Sequence, residues 1–211
     1  MDNILSAIES SQHCQRNWDL DKTISPEHLS IFEYVLKNAP SKQNIAYYKV
    51  HFIFNRELIE NIYTNTPTYS GSVEERYNPQ VLANLLVVFE DYFDFSNNEN
   101  IQIRAYKQKD KLTDSQRITL ENNLTQDRLH AIGIASGQLV LVANYLGYKT
   151  GFCKCFKPED LSKVININNK VSLMVGIGYQ NINVPHNIHQ LKKDYSCKLL
   201  PKVNIPISTI Y

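Results

Sequence analysis

The glycine pairs and charged clusters of this chain match none of the short motifs that usually bring catalytic groups together. The pair Gly176 and Gly178 is not part of a G-x-x-x-x-G-K-[ST] or G-x-G-x-x-G phosphate loop, and it indicates a close backbone approach within a core strand. The motifs G-x-S-x-G and H-E-x-x-H are also absent from the sequence. The sequence therefore favours a cofactor that supplies its own reactivity over catalysis by side chains alone.

The cysteines and histidines suggest a second kind of chemistry, metal binding. The cysteines Cys14, Cys153, Cys155 and Cys197 are too few and too widely spaced for a secreted disulfide scaffold. Cys153 and Cys155 could bind zinc together with His186 and His189, but zinc sites usually pair cysteines at C-x2-C spacing. We therefore expect free thiols in a reducing compartment and no metal.

Charge and hydropathy restrict the partners of the chain. The 22 basic and 21 acidic side chains give a net charge of +1, whereas nucleic-acid-binding proteins usually carry a clear positive excess. The basic stretch 104–111, RAYKQKDK, is accordingly predicted to be a solvated loop. Residues 131–147 are too polar to span a membrane, and residues 1–11 lack the apolar core of a secretion signal. We expect a cytoplasmic protein that binds neither nucleic acid nor membranes.

Caps and apolar runs mark the elements that must position any functional residues. Helices are predicted at 3–10, at 26–36 after the capping Ser25, and at 56–63 after Asn55. A capping box at Thr113 and Gln116 opens a polar helix that ends near residue 123. Predicted loops and strands complete the pattern, with a loop at 65–76, strands at 46–54, 85–89 and 171–179, and an edge strand at 203–208. Without a regular βαβ repeat, the 211 residues are predicted to form one α+β domain with helices packed around one sheet.

A further predicted helix, which begins at Asp127 and ends before Gly147, is unusually rich in small residues. Its first half contains Ala131, Gly133, Ala135, Ser136 and Gly137. Each interior glycine costs about 1 kcal/mol relative to alanine. Close packing of another helix, in the core or at a dimer interface, or of a flat ligand would compensate for this cost.

Several segments, taken in order, resemble the FMN-dependent nitroreductase family across nearly the whole chain. They are QHCQRNWD at 12–19, APSKQN at 39–44, LGYKTGF at 146–152 and VGIGY at 175–179. In that family an R-x-S-x-[RK]-x-[FW] segment is followed by A-P-S-x-x-N, a helix that ends in L-G, and a strand that ends in G-Y. The resemblance implies a nitroreductase-like fold with a mostly antiparallel central sheet, and an intertwined homodimer that binds FMN between its subunits.

The opening motif carries the first part of the implied FMN site, on Gln12, His13, Cys14 and Arg16. Gln12 and Cys14 replace the arginine and serine that contact the flavin phosphate in the family. Because a neutral hydrogen bond is roughly half as strong as a charge-assisted one, Gln12 should weaken phosphate binding. Arg16 matches the cation that faces the pyrimidine side of the ring and stabilises negative charge there. The alternative for Arg16 is a surface ion pair with Asp19.

The other implied FMN-binding residues are spread along the chain, and exposed loop positions are the alternative for each of them. Gly151 and Phe152 match a loop whose backbone N–H approaches flavin N5, where a glycine permits close approach. His189, with Lys192 or Lys193, would replace arginines that bind the phosphate in the family. The residues matched to the ribityl chain and the ring edge are Pro40, Ser41, Lys42, Asn44, Asn78 and Gln80.

The implied activity is hydride transfer from NADH or NADPH through FMN to a flat, electron-poor acceptor such as a nitroaromatic or a quinone. Tyr47 and Tyr48 could stack on the acceptor or could be core residues of their strand. One alternative is a relative that fragments flavin or removes halogen from aromatic rings. The other is a flavin-binding protein without turnover, which the replacements at Gln12 and Cys14 and the missing arginines suggest.

Overall fold

The computed structural model of the chain describes residues 2–67, 77–96, 99–192, 196, 202–203 and 205–209. Within these residues the strands are β1 (Tyr48–Ile53), β2 (Leu85–Asp91), β3 (Lys149–Cys153) and β4 (Val171–Gly178). The helices there are α1 (Asp2–Ser11), α2 (Pro26–Asn38), α3 (Arg56–Thr64), α4 (Ile101–Lys107), α5 (Asp114–Tyr145) and α6 (Pro158–Ile165). The strands form an antiparallel sheet in the order β1-β2-β4-β3, which confirms the predicted α+β class.

The sheet has an apolar core on both faces, because successive side chains of a strand point to opposite sides. On β2, Leu85, Val87 and Phe89 pack in one cluster with residues of α2 and α5. Leu86 and Val88 pack in the other cluster with residues of α3 and α6. The nearly continuous apolar run of β2 is thus explained by helices on both sides of the sheet.

The predicted helix caps are confirmed by their hydrogen bonds. The Ser25 side chain accepts a hydrogen bond from the backbone N–H of His28 at 3.2 Å, and Asn55 accepts one from the N–H of Leu58 at 2.8 Å. Thr113 and Gln116 form the reciprocal capping box at the start of α5. Short polar side chains before an apolar periodicity therefore located the starts of three helices.

The prediction of two helices between Thr113 and Gly147 is wrong, because α5 runs unbroken from Asp114 to Tyr145. Neither glycine nor proline interrupts residues 114–127, and Leu124 is buried in a cluster with Ile103 and Ala131. Tertiary packing thus carries the helix through a polar stretch that the sequence suggested was its end.

Two other segments also differ from expectation. The basic stretch at 104–111 is not a loop: it lies in α4 and a following turn of 3-10 helix, because Asn100 caps α4 and Ile103 anchors it in the core. In the tail, residues 203 and 205–208 form no strand within the chain. Of the loop predicted at 65–76, residues 68–76 lie outside the described part. Among the described residues, no helix is both long and apolar enough to cross a membrane.

Glu90, on β2, is a buried carboxylate with a defined set of partners. Its Oε2 lies 2.6 Å from His51 Nε2, and its Oε1 accepts a hydrogen bond from Asn169 Nδ2 at 2.7 Å. Burial by itself would raise the pKa of Glu90, but the hydrogen bonds from His51 and Asn169 outweigh it and lower that pKa. A carboxylate whose folded-state pKa is lowered stabilises the fold above its unfolded pKa and loses that contribution as the pH falls.

We therefore expect Glu90→Gln to lower the free energy of unfolding by about 1–3 kcal/mol at pH 7. Urea denaturation at pH 7 and below pH 4 measures the effect. The difference between variant and wild type should shrink as the pH falls through the lowered folded-state pKa of Glu90, since Glu90 then becomes protonated in both the folded and the unfolded chain. A difference that is independent of pH would contradict the ionised state of Glu90.

Candidate functional site

Residues 12–16, which contain the opening motif, run from the end of α1 along the outer edge of β3. The backbone N–H of Gln15 donates to the carbonyl of Thr150 at 2.9 Å, and that of Arg16 donates to the carbonyl of His186 at 2.9 Å. Gln12 and His13 are exposed, whereas Cys14 and Arg16 are half-buried. The Arg16 guanidinium donates to the Cys14 carbonyl at 3.0 Å, and Asp19 pairs with Lys22 instead of with Arg16. The alternative of an Arg16–Asp19 ion pair is therefore not observed.

Gly151 and Phe152 lie inside β3, where the two residues face opposite edges. The carbonyls of Thr150 and Phe152 accept hydrogen bonds on the outer edge, from Gln15 and Gln80. Because the N–H and C=O of one residue point to the same edge in an antiparallel ladder, the Gly151 N–H faces β4, and the Phe152 N–H faces outward. A Cβ at Gly151 would lie 2.6 Å from Gln80 Cβ and 3.0 Å from the Gln15 carbonyl oxygen. The close approach that this glycine permits is thus made by the protein itself.

Asn78 and Gln80 lie beside β3 in the turn before β2. The amide of Asn78 is engaged internally, since Nδ2 donates to the Thr66 carbonyl and Oδ1 accepts from Gln80 Nε2. Gln80 Nε2 also donates to the Phe152 carbonyl at 3.2 Å. The other amide atom of Gln80, Oε1, is buried without a hydrogen-bond partner. Gln80 therefore holds one unsatisfied acceptor, which is enclosed by the protein near Phe152.

Two cysteines, Cys14 and Cys153, lie beside β3 and at its end, respectively. Cys14 Sγ is 4.0 Å from the Phe152 carbonyl oxygen, and Cys153 is buried in the core. Burial, with Cys155 and Cys14 nearby, raises the pKa of the Cys153 thiol to about 12. Cys153 is therefore protonated at neutral pH and packs as a small apolar residue.

The predicted phosphate-binding role of His189 does not agree with its surroundings. His189 is completely buried, its Nε2 lies 3.1 Å from the Tyr63 hydroxyl, and its Nδ1 accepts hydrogen bonds from the backbone N–H groups of Leu191 and Lys192. Both ring nitrogens are therefore used to hold the chain after residue 188. Lys193, the other cation considered there, lies outside the described residues.

His186, three residues before His189, lies in a different environment. It lines a pocket of about 320 Å³ together with Ser10, His13 and Lys149 at the end of α1. The rings of His13 and His186 are 5.4 Å apart, and His186 Nε2 is buried without a hydrogen-bond partner. The spacing in PHNIH could not show which histidine is buried and which lines a pocket, and Lys149, although it lies in the segment LGYKTGF, was given no role by the sequence. We call residues 12–16, Gln80, 149–152 and His186 the β3 half-site.

The loop at 40–44 lies elsewhere, against the middle of α5. Ser41 Oγ donates to the carbonyl of Ile45 at 2.8 Å, and Lys42 Nζ bonds Asp127 Oδ2 at 2.7 Å. Asn44 has a φ of 53°, a left-handed conformation that asparagine tolerates better than most residues. Pro40, Ser41 and Asn44 also line a groove of about 840 Å³ between α2 and β1. We call residues 40–44 the loop half-site.

The two tyrosines that follow this loop differ in exposure. Tyr47 is fully buried against Phe93, and burial, with Asp127 nearby, raises its pKa to about 12. Tyr47 is therefore a core residue, which was the alternative to stacking on the acceptor. Tyr48 is half-buried, lines the groove beside β1, and donates its hydroxyl to the Leu36 carbonyl at 2.8 Å.

A single helix sets the distance between the two half-sites. Lys42 of the loop half-site bonds Asp127, whereas Ser10, next to the β3 half-site, bonds Asn144. Asp127 and Asn144 are 17 positions apart on α5, which corresponds to about 25 Å along the helix axis. The chain thus places the two sets of implied FMN-binding residues at separate points on α5.

Comparison with known proteins adds structural relatives. The sequence matches no protein-family model and no curated protein. Among solved structures, it is similar to a protein of Exiguobacterium sibiricum that was assigned as a nitroreductase and solved in complex with FMN. The TM-score is 0.62 at 17% identity, over 96% of this chain and 93% of the other.

Two further solved structures agree with this likeness. A protein of Staphylococcus epidermidis, assigned as an NAD(P)H:FMN oxidoreductase, has a TM-score of 0.63 at 16% identity, over 94% of this chain and 97% of the other. A nitroreductase family protein of Streptococcus pneumoniae has a TM-score of 0.58 at 17% identity, over 94% of each chain. At these identities the likeness concerns the backbone, and it shows that the chain has the nitroreductase-like fold.

Proposed function

We propose that the protein is an FMN-dependent oxidoreductase that takes hydride from NADH or NADPH and reduces a flat, electron-poor acceptor. Two similar structures support the proposal through their names, one as a complex with FMN and the other as an NAD(P)H:FMN oxidoreductase. When bound, FMN would supply the hydride acceptor and donor that the side chains of this chain lack. Nitroaromatics and quinones have the required shape and electron deficiency.

The observation that carries the proposal is the assembly of the β3 half-site, in which segments distant in sequence supply groups that fit FMN. The unsatisfied Gln80 Oε1 is enclosed by the protein, and rotation of the Gln80 side chain would present it to an N–H donor at the edge of a flavin ring. Lys149 and the imidazoles of His13 and His186 line a pocket suited to an anion. Polar groups for both ends of FMN are therefore present on one side of β3.

Within this site we propose that Arg16 stabilises negative charge on the flavin ring and that Phe152 lies beside the ring. The Arg16 guanidinium is held by the Cys14 carbonyl, and a fixed cation beside a flavin stabilises the negative charge gained on reduction. Phe152 is 41% exposed, and its backbone N–H is on the outer edge of β3. No side-chain acid, base or nucleophile is needed for hydride transfer.

The cheapest test is the colour of the purified protein. We expect a yellow protein with about one FMN per chain, bleached by NADH or NADPH without oxygen and recoloured by a quinone or nitroaromatic. A colourless protein that takes up no FMN at tens of micromolar would overturn the proposal. A yellow protein that neither nicotinamide bleaches would instead support the flavin-binding alternative without turnover.

We also propose that two copies of the chain form a homodimer and share each FMN. The α5 residues beside the two half-sites, Asp127 and Asn144, are about 25 Å apart along the helix, so a second copy would be needed to bring a loop half-site next to a β3 half-site. On the outward face of α5, Gly133 and Gly137 have no atom within 4 Å of an added Cβ. The tail offers Val203, Ile205 and Ile207, all exposed, as an arm that could reach the partner's sheet. In a dimer, the two glycines would allow close packing between helices of the two subunits, and the tail would contact the partner.

Light scattering should accordingly give twice the 24.4 kDa mass of the chain. We expect Gly137→Leu to weaken the dimer at least tenfold, because a large side chain would separate closely packed helices, while the open space around Gly137 lets each chain fold. Glu121→Leu, at an exposed position about 160° around α5 from Gly137, is the matched control and should stay dimeric. A folded monomer that retains FMN would contradict the shared site.

A further inference from the structure

The loop half-site contains two consecutive residues in the left-handed region of backbone conformation. Gln43 has a φ of 55° and Asn44 a φ of 53°. Asparagine tolerates this conformation better than most residues, but glutamine does not share that tolerance, so the backbone is strained at Gln43. The Gln43 side chain is exposed. Strained residues persist only where their surroundings fix them, so contacts elsewhere must hold this loop in place.

Contacts within the loop and one contact to α5 provide this support. Ser41 Oγ donates to the Ile45 carbonyl at 2.8 Å, and the Ile45 side chain is buried in the core. The backbone N–H groups of Asn44 and Ile45 donate to carbonyls three residues earlier, at 3.1 and 3.3 Å. Lys42 Nζ donates to Asp127 Oδ2 on α5 at 2.7 Å. Asp127 thus ties the strained loop to a long helix.

Asp127 is itself held in place from α4. Gln102 Nε2 donates to Asp127 Oδ2 at 2.8 Å, and Gln102 Oε1 accepts from the Tyr47 hydroxyl at 3.3 Å. Tyr47 is fully buried, and its raised pKa of about 12 keeps the hydroxyl protonated and able to donate. The Asp127 side chain is 14% exposed, whereas that of Lys42 is 51% exposed. The carboxylate is therefore the fixed member of the pair, and it sets the position of the ammonium group.

We propose that Asp127 is a positioning residue for flavin binding, which holds Lys42 and, through it, the left-handed turn at Gln43 and Asn44 in the binding conformation. That the ligand is FMN rests on the proposed function. A loop that is fixed before binding loses less conformational freedom when the ligand arrives, so the ligand binds more tightly. Without Asp127 the loop would relax at Gln43, and binding would have to restore the strained conformation. Asp127 acts through Lys42 and needs no contact with the flavin.

A purely electrostatic role for Asp127 makes the opposite prediction. If Asp127 only neutralised Lys42, its removal would free a positive charge and strengthen the binding of anionic FMN. Riboflavin, which lacks the phosphate, would then change much less. The positioning role instead predicts that FMN and riboflavin lose affinity by the same factor, because both have the ring and the ribityl chain to which the family resemblance matches this loop.

Titrations of the apoprotein with FMN and with riboflavin, followed by flavin fluorescence, distinguish the two roles. We expect Asp127→Ala to weaken both flavins by about tenfold, the lower end of the effect of a charge-assisted hydrogen bond, because solvent screens the half-exposed pair. Asp127→Asn keeps an oxygen acceptor and should lose less. Asp114→Ala is the matched control, since it removes another ion-paired aspartate of α5, the partner of Arg117, and it should leave both affinities unchanged.

Substitutions at Gln43 separate positioning from a general loss of stability. Asparagine adopts the left-handed region more readily than glutamine, so Gln43→Asn should recover about threefold of the affinity lost in Asp127→Ala. With Asp127 present, the same substitution should change affinity by less than about twofold, because the loop is already held. A β-branched residue adopts this region least, so Gln43→Val should weaken both flavins even with Asp127 present. Additive effects of Gln43→Asn and Asp127→Ala would contradict the proposal.

Hydrogen exchange in the flavin-free protein gives a readout that needs no ligand. The N–H groups of Asn44 and Ile45, which close the loop, should exchange about tenfold faster in Asp127→Ala and should slow again when Gln43→Asn is added. Unchanged exchange of these amides, or stronger FMN binding by Asp127→Ala, would overturn the proposal and leave the proposed function standing. If the wild-type protein binds no flavin, the proposed function fails, and the role of Asp127 in flavin binding fails with it.

Discussion

Replacing Gly176 by alanine should lower the free energy of unfolding by about 3 kcal/mol, the upper end of the range for overpacking a core. A Cβ at this position would lie 2.0 Å from the Gln80 carbonyl oxygen and 3.0 Å from Ala83 Cβ. Gly176 cannot move away, because β4 lies between β2 and β3 and is hydrogen-bonded on both sides. The turn that carries Gln80 must shift instead. Urea denaturation measures the loss, and FMN retention should fall with it.

Gly147→Ala separates this steric effect from backbone strain. Gly147 has a φ of 89°, but an added Cβ would meet no atom within 4 Å. Its replacement should therefore cost only the strain of a left-handed alanine, about 1–2 kcal/mol. A Gly176→Ala variant as stable as wild type would contradict the close contact between β4 and the turn that carries Gln80.

Arg16→Ala should slow reduction by NAD(P)H, or weaken FMN binding, by about ten- to a hundredfold. Losing one charge-assisted contact costs roughly 1.5–3 kcal/mol, which corresponds to that factor. The guanidinium belongs to the β3 half-site and is bonded to the Cys14 carbonyl, and the preceding residue, Gln15, pairs with β3. Stopped-flow bleaching and the flavin reduction potential measure the two contributions.

Arg16→Lys is the appropriate comparison for this variant. Lysine keeps the charge but loses the planar fork, so it should recover part of the rate and less of the binding. Gln12→Arg should strengthen FMN binding with almost no change in reduction rate, because it adds charge at the phosphate end. Wild-type affinity, potential and rate in Arg16→Ala would show that Arg16 is a surface residue and that the opening motif is misaligned.

The fold could be predicted from local signals wherever those signals are strong. The caps at Ser25, Asn55 and Thr113 act within one helical turn, and the apolar run of β2 requires burial on both faces. The unbroken length of α5 could not be predicted, because it depends on Leu124 packing against Ile103 from another helix. Such a contact joins residues that are distant in sequence, and no local pattern reveals it.

In the site, too, the order of the segments along the chain could be used for prediction, whereas the contacts of individual residues could not be predicted. The order of the motifs identified the segments that meet at β3, and Arg16, Gln80 and Phe152 all lie there. That His189 is buried beside Tyr63 while His186 lines a pocket could not be predicted, because it depends on contacts between segments distant in sequence. The separation of the loop half-site was likewise invisible, since it follows from the length of α5.

That helix has a consequence for how the chain can change in length. Each residue inserted between Asp127 and Asn144 would add about 1.5 Å and turn everything beyond it by about 100°. A single insertion would therefore rotate Asn144 away from Ser10 while Asp127 stayed with Lys42. Only changes of nearly whole turns would keep both contacts on their proper faces. Loops of the protein can thus gain or lose single residues. This part of α5 cannot, because it fixes both the distance between the two half-sites and their relative rotation about the helix axis.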